Sequence, residues 1–280
     1  MQFAAYDKLR GGQKQFRLGE IAPRKPIGMK ARELGSQARF LLHHLLKTHQ
    51  RALYGAPERF ATSSLRRALD RLRWGPLGEY IWLSRRIRGW MRRREAVELA
   101  RTTYFLPEDA IVVEIGSFLV CSTVLLAGGR KLQNSGKVHC VDCFDAVGDS
   151  FSVPIYRQIA GSLDHSIREH FDENILKADL ADWVEVHQGN ANEVVPEWTT
   201  SIDLLFMDGD HSDRGAQETY ERWSVFLKIG GIIAVHNSAP GSYAPDHGGS
   251  RRLVEHAVCP PQYSEIRCVG STTFARKMKG

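Results

Sequence analysis

The sequence has no apolar run of about eighteen or more residues, so no segment is expected to cross a membrane as a helix. The first residues, MQFAAYDKLRGGQKQF, lack the apolar core of a secretory signal. Cysteine is scarce and odd in number, with five residues at positions 121, 140, 143, 259 and 268. Cys140 and Cys143 form a C-x-x-C pair, but no second pair accompanies them to complete a zinc site. These absences favour a cytoplasmic protein with reduced thiols.

Acidic residues are few in the first part of the chain. Residues 1–110 hold 10 Asp and Glu against 23 Lys and Arg, whereas residues 111–280 hold 22 against 15. A break in charge of this size indicates two functional units. We therefore expect a flexible polar arm over residues 1–35, a basic helical extension over residues 36–104 and an α/β domain over residues 105–280.

Three helices are expected in the basic extension. Apolar residues recur at helical spacing from Ser36 to about His49, a second helix is predicted over Ser64–Arg73, and a third over Glu79–Ala100. Residues 81–94 mix tryptophan with arginine, which suits packing on the main domain or a partner subunit, contact with an anionic membrane, or nucleic-acid binding. We favour packing, with a homo-oligomer formed through these helices. Peripheral membrane contact stays open, and nucleic acid is the least favoured partner.

From Ile111 onwards, apolar strands alternate with helical segments. Strands are predicted at Ile111–Ile115, Lys137–Val141, Trp183–His187, Ile202–Met207 and Gly231–Val235, and helices at Val120–Lys131, Asp213–Leu227 and Ser250–Ala257. Tyr263–Val269 and Thr272–Lys277, joined by two residues, read as an antiparallel hairpin. Residues 144–182 interrupt the alternation as an insertion, with a helix around Ile155–Phe171, that is expected to cover the site. The pattern predicts a mainly parallel α/β sheet with helices on both faces.

Three turns at the carboxyl ends of predicted strands indicate a ligand pocket. Gly116 follows the first strand and permits a tight turn, and the next helix is expected to begin about four residues later, at Val120, with free N–H groups. The chain lacks the G-x-G-x-x-G fingerprint and the P-loop, which argues against a dinucleotide or a cradled phosphate. Asp142 ends the second strand, where a carboxylate can accept ribose hydroxyls. Asn190 follows the third strand and could meet an adenine edge. Each of these, taken alone, also describes an ordinary loop.

Carboxylates, imidazoles and an amide follow the last two parallel strands. Asp208, Asp210 and His211 come after one strand, and His236 and Asn237 after the next. Parallel strands joined by a helix end at the same edge of a sheet, so these side chains should converge. Imidazole titrates near neutral pH and suits base catalysis. Their alternative role is to cap loops.

These motifs together resemble the class I S-adenosylmethionine-dependent methyltransferases over roughly residues 105–277, including the final hairpin. The motifs E-x-G-S, VDCFD and DGDHSDRG, with LKIGG-IIAVHN, resemble a branch of small-molecule and sugar O-methyltransferases that includes relatives described as cephalosporin hydroxylases. The resemblance implies a Rossmann-like fold, S-adenosylmethionine as cofactor and a small-molecule acceptor. It places the implied cofactor contacts at Glu114, Gly116, Ser117, Ser122, Asp142, Asn190, Ala191 and Asp208.

Metal-dependent relatives similar to catechol O-methyltransferase suggest further roles. By that resemblance, Asp208 and Asn237 are metal ligands, His236 stands where a second aspartate would be, and His211 stands where the general base would be. Oxygen ligands suit Mg²⁺, while an imidazole among them favours Mn²⁺, Fe²⁺ or Zn²⁺. A metal-free reaction, with His211 as base and Asp208 orienting it, stays open.

Val120 departs from the family pattern, which has glycine at this place. A branched side chain there could narrow the cofactor pocket or be absorbed by a small backbone shift. Two alternatives to methyl transfer therefore stay open. One is a hydroxylase-like metalloenzyme on the same fold, and the other is a non-catalytic binding module with a degenerate cofactor site.

Overall fold

The computed structural model describes residues 55–58 and 63–279. The polar arm expected over residues 1–35 and the helix expected over Ser36–His49 lie outside the described residues. The description below therefore starts with the second of the three expected helices.

Helices α1 (Ser64–Trp74), α2 (Leu77–Ser84) and α3 (Arg93–Tyr104) precede the sheet. Ser63 caps α1 by accepting a hydrogen bond from the Arg66 backbone N–H at 3.1 Å, close to the predicted start. The prediction of one continuous helix over Glu79–Ala100 is wrong, because the chain leaves helical conformation between α2 and α3.

Gly89 shows why the helix is interrupted. A Cβ on Gly89 would lie 2.4 Å from the Cβ of Cys121, and the Gly89 N–H donates to the Gly55 carbonyl at 2.8 Å. The chain between α2 and α3 thus passes directly against the main domain. That contact is made with residues distant in sequence, so the local helical spacing does not show it.

Seven strands form one sheet. They are β1 (Ile111–Ile115), β2 (Lys137–Asp142), β3 (Val184–Gln188), β4 (Ile202–Met207), β5 (Leu227–Val235), β6 (Tyr263–Val269) and β7 (Thr272–Lys277). The order is β3-β2-β1-β4-β5-β7-β6, with β1 to β5 parallel and β7 antiparallel to both β5 and β6. The predicted mainly parallel sheet with a terminal antiparallel hairpin is confirmed.

Helices cover both faces of the sheet. They are α4 (Thr123–Gln133), α5 (Val153–Ala160), α6 (Ile167–Lys177), α7 (Ala191–Val194), α8 (Asp213–Trp223) and α9 (Gly249–His256). The helix expected around Ile155–Phe171 in the insertion is instead two helices. Ser166 begins the second of them, accepting from the Glu169 N–H at 3.2 Å while the Glu169 carboxylate accepts from the Ser166 N–H at 2.8 Å.

The amino-terminal helices share their apolar core with the sheet. Ile81 from α2 and Leu99 from α3 lie in the same buried cluster as Leu125 from α4. Arg130 of α4, fully buried, donates to the carbonyls of Thr103, Ser135 and Pro107 at 2.8–2.9 Å. Burying a guanidinium is tolerated because carbonyls satisfy its donors. Helix α3 is therefore fastened to the main domain at its carboxyl end.

Tryptophans of the basic segment face inwards. The Trp82 side chain is buried, with the guanidinium groups of Arg67 and Arg86 over its ring at 4.9 and 4.5 Å. Trp90 is partly exposed and lines the cavity described below. Across the described ranges, no helix combines the length and apolar character needed to cross a bilayer.

Candidate active site

A cavity of about 1090 Å³ opens at the carboxyl edge of the parallel strands. Pockets for a single small ligand typically measure roughly 300–1,000 Å³, so this one has room for a cofactor and an acceptor. The loops after β1, β2, β4 and β5 all contribute to its wall, together with α5 and the segment before α3. The strand ends thus bring the sequence-predicted residues to one crevice, as parallel topology requires.

Gly116 sits at the closest approach of two of these loops. Its φ is +88°, and a Cβ there would lie 2.3 Å from the Asp208 carbonyl oxygen. The Asp208 N–H donates to the Ile115 carbonyl at 2.8 Å. Only glycine fits this contact, because a side chain would strain the left-handed backbone and collide with β4. The turn after β1 is thereby held directly beside Asp208.

Asp142 fixes the same turn from the β2 side. The backbone N–H groups of Ser117 and Phe118 donate to its Oδ2 at 2.8 and 2.9 Å, and that of Phe144 donates to Oδ1 at 2.7 Å. Burial raises the pKa of Asp142, while these hydrogen bonds act to lower it. A carboxylate offers about four acceptor sites, so one site on Oδ1 is left. Asp142 thus shapes the loop and keeps capacity for one ligand hydroxyl.

Glu114 does not line the cavity. It is fully buried beneath the turn, where Ser122 Oγ and Thr123 Oγ1 each donate to its carboxylate at 2.5 Å. Burial raises the pKa of Glu114 to about 7, although both hydrogen bonds lower it. The family resemblance implied that Glu114 contacts the cofactor, but in the structure its carboxylate binds the hydroxyls of Ser122 and Thr123 beneath the turn. Ser122 reaches the wall, with its hydroxyl committed to Glu114.

Val120 lies in the core and away from the cavity. Its side chain is fully buried in the cluster that includes Val124 and Leu125, and its φ is +72°. A β-branched residue in the left-handed region is strained, which explains why glycine suits this place. Of the two outcomes expected for Val120, these positions favour a backbone adjustment over a narrowed cofactor pocket. The energetic cost of valine at this position is therefore backbone strain.

The remaining predicted cofactor residues reach the cavity wall. Ser117 is 2% exposed, and its hydroxyl makes no hydrogen bond of ordinary geometry within the described ranges. Asn190 begins α7, with its side chain accepting from the Asn192 N–H at 2.9 Å, and Ala191 follows it. A buried hydroxyl without a partner and an exposed amide, at opposite sides of the Asp142 loop, suit an elongated polar ligand.

Asp208 and His236 form the closest pair in the cavity. His236 Nδ1 lies 2.5 Å from Asp208 Oδ1, and because an ionised carboxylate only accepts, the proton is on the imidazole. His236 Nε2 lies 3.2 Å from Ser271 Oγ. Burial lowers the pKa of His236, but Asp208 and then Glu95 outweigh it, so the net shift is upwards. Both ring nitrogens of His236 are therefore engaged.

His211 has the complementary arrangement. Its Nε2 lies 3.2 Å from Asn237 Nδ2 and 3.6 Å from Asp208 Oδ1, and its Nδ1 lies 3.0 Å from Ser250 Oγ. The amide N–H of Asn237 can only donate, so in this arrangement Nε2 is unprotonated and Nδ1–H donates to Ser250. Burial lowers the pKa of His211 to about 4, although Asp208 raises it. The neutral imidazole therefore accepts from Asn237 on Nε2, and the Asp208 carboxylate lies 3.6 Å from the same atom.

Glu95 anchors this network from the amino-terminal helices. Its buried carboxylate accepts from both the N–H and the hydroxyl of Ser271 and from the Arg92 N–H at 2.7 Å. A chain of contacts therefore runs from Glu95 through Ser271 and His236 to Asp208. Sequence reasoning missed Glu95 because it lies in a helix that looked like part of a separate basic unit.

An aromatic wall faces the cluster. The rings of Trp90, Phe118 and Tyr156 lie within 6.0 Å of one another between centroids. They come from the segment before α3, the turn after β1 and helix α5 of the insertion. None was predicted as a site residue, although the insertion was expected to cover the site, and the mixing of tryptophan with arginine was the only signal at Trp90.

The insertion and the loop after β5 meet above the cavity. His247 Nδ1 lies 3.1 Å from Asp149 Oδ1, and its ring packs edge-on against His211 with 4.9 Å between centroids. The pKa of Asp149 falls to about 2, because hydrogen bonds from His247 and Ser152 outweigh burial, which raises it. Asp210, by contrast, is exposed and accepts from the Ser212 N–H at 2.8 Å, which is a loop-capping role.

Residues 113–238 match a family model described as a methyltransferase domain. Among solved structures, the O-methyltransferase NovP aligns with a TM-score of 0.55 at 15% identity, over 68% of this chain and 82% of that one. A cofactor-bound protein from MTB, Rv0187, aligns with a TM-score of 0.51 at 19% identity, over 68% and 82%. TomG of Streptomyces achromogenes, an O-methyltransferase in complex with SAM, aligns with a TM-score of 0.50 at 18% identity, over 73% and 90%.

At these identities the solved structures establish the fold. The shared fold agrees with the sheet order read from the strands and with the domain match that spans β1 to the end of β5. The chain thus matches a methyltransferase domain over residues 113–238 and shares its fold with these O-methyltransferases.

Proposed function

We propose that this protein methylates a hydroxyl group of a small-molecule acceptor, such as a sugar, a glycolipid or another secondary metabolite. The observation that carries the proposal is the neutral His211 imidazole in the cavity wall, whose unprotonated Nε2 lies 3.6 Å from Asp208 and accepts from the Asn237 amide, which the acceptor hydroxyl would replace as donor. The glycine turn, where the methyl donor would be held, packs against the backbone of Asp208. A base so placed suits removal of a hydroxyl proton.

The residues of the glycine turn and of the β2 and β3 ends suit S-adenosylmethionine. Ser117 and Asn190 line the cavity, Asp142 keeps one remaining acceptor site, and the side chain of Asn190 is exposed. When bound, this cofactor supplies a methyl group on a sulfonium, and the S–CH₃ electron pair returns to sulfur as the methyl leaves. The chain's task is to align the acceptor oxygen with that group.

His211 takes the acceptor proton on Nε2 as the acceptor oxygen attacks. Asp208, 3.6 Å away, stabilises the imidazolium that forms, and Ser250 holds Nδ1 so that the ring stays oriented. His236 stays protonated between Asp208 and the Ser271–Glu95 pair, and fixes the Asp208 carboxylate. The aromatic wall of Trp90, Phe118 and Tyr156 suits an acceptor that presents a ring face.

A divalent metal also fits this residue set. The ligand atoms of Asp208, His211 and His236 all lie within 4.8 Å of one another. Two imidazoles and one carboxylate favour Mn²⁺, Fe²⁺ or Zn²⁺ over Mg²⁺. An ion held there would lower the pKa of the acceptor hydroxyl as a Lewis acid. Asn237, predicted as a ligand with Asp208 and His236, instead has its amide nitrogen against His211.

The same set supports a second candidate. Two histidines and one carboxylate form the ligand type of non-haem iron oxygenases. Such an enzyme would insert one atom of O₂ into a C–H bond and reduce the other to water with two electrons from an external reductant. This candidate requires Fe²⁺ and O₂ and yields no methylated product.

Titration of the purified protein with S-adenosylhomocysteine, followed by an assay with methyl-labelled donor and a panel of hydroxylated acceptors, tests the proposal. We expect micromolar binding and label transfer to an oxygen of at least one acceptor. Label transfer that persists in chelator selects the metal-free reaction. Product formation that needs Fe²⁺ and O₂, without label transfer, selects the second candidate and overturns the first.

A further inference from the structure

Two other histidines and a glutamate form a separate cluster on the sheet. His139 lies on β2, and Glu185 and His187 lie on the edge strand β3. The register pairs His139 with Glu185, and alternation along β3 puts Glu185 and His187 on the same face. None of the three lines the cavity. The catalytic proposal therefore does not use them.

The three side chains converge on one point. His139 Nδ1 lies 3.0 Å from His187 Nε2, and Glu185 Oε1 lies 3.9 Å from the first nitrogen and 3.7 Å from the second. The two rings stack with an interplanar angle of 30°. Within the described ranges, no lysine or arginine forms a salt bridge with Glu185, whose carboxylate instead lies beside the two imidazoles.

We propose that His139, Glu185 and His187 bind one divalent transition-metal ion, with Zn²⁺ as the representative case and water at the open position. Imidazole nitrogen and carboxylate oxygen are ordinary ligands for this ion. A tetrahedral site with Zn–N of about 2.0–2.1 Å separates two nitrogens by about 3.3 Å. The pair at 3.0 Å needs to open by a few tenths of an ångström. Glu185, whose side chain is 49% exposed, has room to bring its carboxylate oxygen closer to both nitrogens.

Trp198 fixes the orientation of both imidazole rings. Trp198 packs edge-on against His139 and His187, with centroids 5.0 and 5.7 Å away, and its Nε1–H donates to the Thr200 carbonyl at 2.6 Å. The two rings are thus held in orientation before an ion arrives, which reduces the cost of binding.

An ion at this site would link β2 to the outermost parallel strand. His187 is followed within three residues by Gly189 and Asn190, which line the cavity, and the Gly189 N–H donates to the Asp142 carbonyl at 3.0 Å. Without an ion, β3 is held to the sheet along a single neighbour. Metal binding would therefore stabilise the edge of the sheet against local opening.

Zinc titration of tag-free, chelator-treated full-length protein tests the proposal by calorimetry. The Asp208→Asn background disables the other histidine cluster, so that the edge site is measured alone. We expect this protein to bind one Zn²⁺ at the edge site, and the added pair His139→Gln and His187→Gln to weaken binding by at least about 10-fold. His256→Gln, on an exposed histidine of α9, is the matched control and should leave the affinity unchanged. Equal affinity in the background and the histidine-pair variant would overturn the proposal.

Two further measurements guard against misfolding of the histidine variants. Glu185→Gln changes a half-exposed side chain, and we expect it to weaken Zn²⁺ binding while leaving the circular dichroism spectrum unchanged. Anomalous diffraction at the zinc edge should place a peak between the three side chains of the Asp208→Asn protein. A peak found only at the cysteines would overturn the assignment.

Discussion

The sheet carries two clusters of two histidines and one carboxylate, and their settings differ. In the inner cluster, the His211 and His236 side chains are each 3% exposed and Asp208 is 21% exposed, at the strand ends inside the cavity. In the outer cluster, on the face of β2 and β3, the corresponding values are 13% and 27% for the imidazoles and 49% for the carboxylate. The residue types are the same, so burial and neighbours decide what each cluster can do.

The inner cluster is tied into a network, and the outer one is not. Ser250, Asn237 and, through Ser271, Glu95 assign a hydrogen-bonding role to each nitrogen of the inner imidazoles. Such fixed roles suit proton transfer, because the reacting nitrogen is defined before the acceptor binds. In the outer cluster the two imidazoles face each other directly, which suits a shared ion.

The largest effect should come from His211→Gln. We expect kcat for methyl transfer to fall by about 10²–10⁴-fold, because the proton acceptor is lost, while the affinity for S-adenosylhomocysteine stays unchanged. Initial rates and calorimetry measure the two quantities. His187→Gln in the outer cluster is the matched control and should keep its turnover. Equal losses of kcat in both variants would contradict the proposal that the inner cluster alone takes part in the reaction.

Glu95→Gln should have the next largest effect. It weakens the anchor that Ser271 provides to His236, and loss of such a supporting partner typically costs about 10–100-fold in activity. We expect the loss in kcat, with a displaced pH–rate profile and unchanged cofactor affinity.

Glu98→Gln, on the same helix, is the control for Glu95→Gln. Glu98 pairs with Arg267 on the surface, so its variant should retain full activity and its ordinary pH profile. A loss of turnover without any change in the pH profile would assign Glu95 a purely structural role.

Gly116→Ala tests whether the turn after β1 must pack directly against Asp208 of the inner cluster. The new Cβ would meet the Asp208 carbonyl at 2.3 Å, so we expect S-adenosylhomocysteine affinity to fall by about 10-fold and stability by about 1–3 kcal/mol. Gly230→Ala has a similar φ of +83° with no atom within 4 Å. It should cost only the backbone strain, about 1 kcal/mol, and leave binding intact. Equal binding losses would show that the close contact is unimportant.

Glu114→Gln should change turnover least, because it replaces a carboxylate that is buried beneath the turn, where its partners are the hydroxyls of Ser122 and Thr123. The pKa of Glu114 is about 7 when folded against 4.5 unfolded. The folded state then binds more protons, so this group's stabilising contribution is complete below about pH 4.5 and is lost as pH rises towards 7. The span is about 3 kcal/mol at most. Thermal unfolding from pH 4 to 8 should show the difference between variant and parent changing over this range. A constant difference would contradict the assignment.

The sheet was predictable because buried parallel strands appear in the sequence as short, continuous apolar runs. The runs Ile111–Ile115 and Ile202–Met207 are strands with the predicted bounds, and so are both strands of the terminal hairpin. The interruption between α2 and α3 was not predictable, because Gly89 leaves helical conformation through contacts with Gly55 and Cys121. Local spacing carries no information about such contacts.

The site was predictable where topology alone creates it. Asp208, His211, His236 and Asn237 follow adjacent strands, so the fold itself brings them together. Trp90 lines the cavity, and Glu95 joins the imidazole network through Ser271, because the amino-terminal helices pack on the sheet, which no strand rule describes. Glu114 lies in β1 and Val120 in the loop after it, and both side chains are buried. The direction of Val120 depends on its φ of +72°, which the sequence does not reveal.

The path of α3 has a consequence for how modular this enzyme is. One helix and the segment before it supply an aromatic wall of the cavity, through Trp90, and the last carboxylate of the imidazole network, through Glu95. A fragment cut at residue 105 would keep all seven strands and every glycine of the cofactor turn. It would still lack one wall of the cavity, which the proposed function assigns to the acceptor. On that proposal the minimal catalytic unit begins upstream of the sheet. Exchanging this amino-terminal segment between relatives should then change which acceptors are methylated.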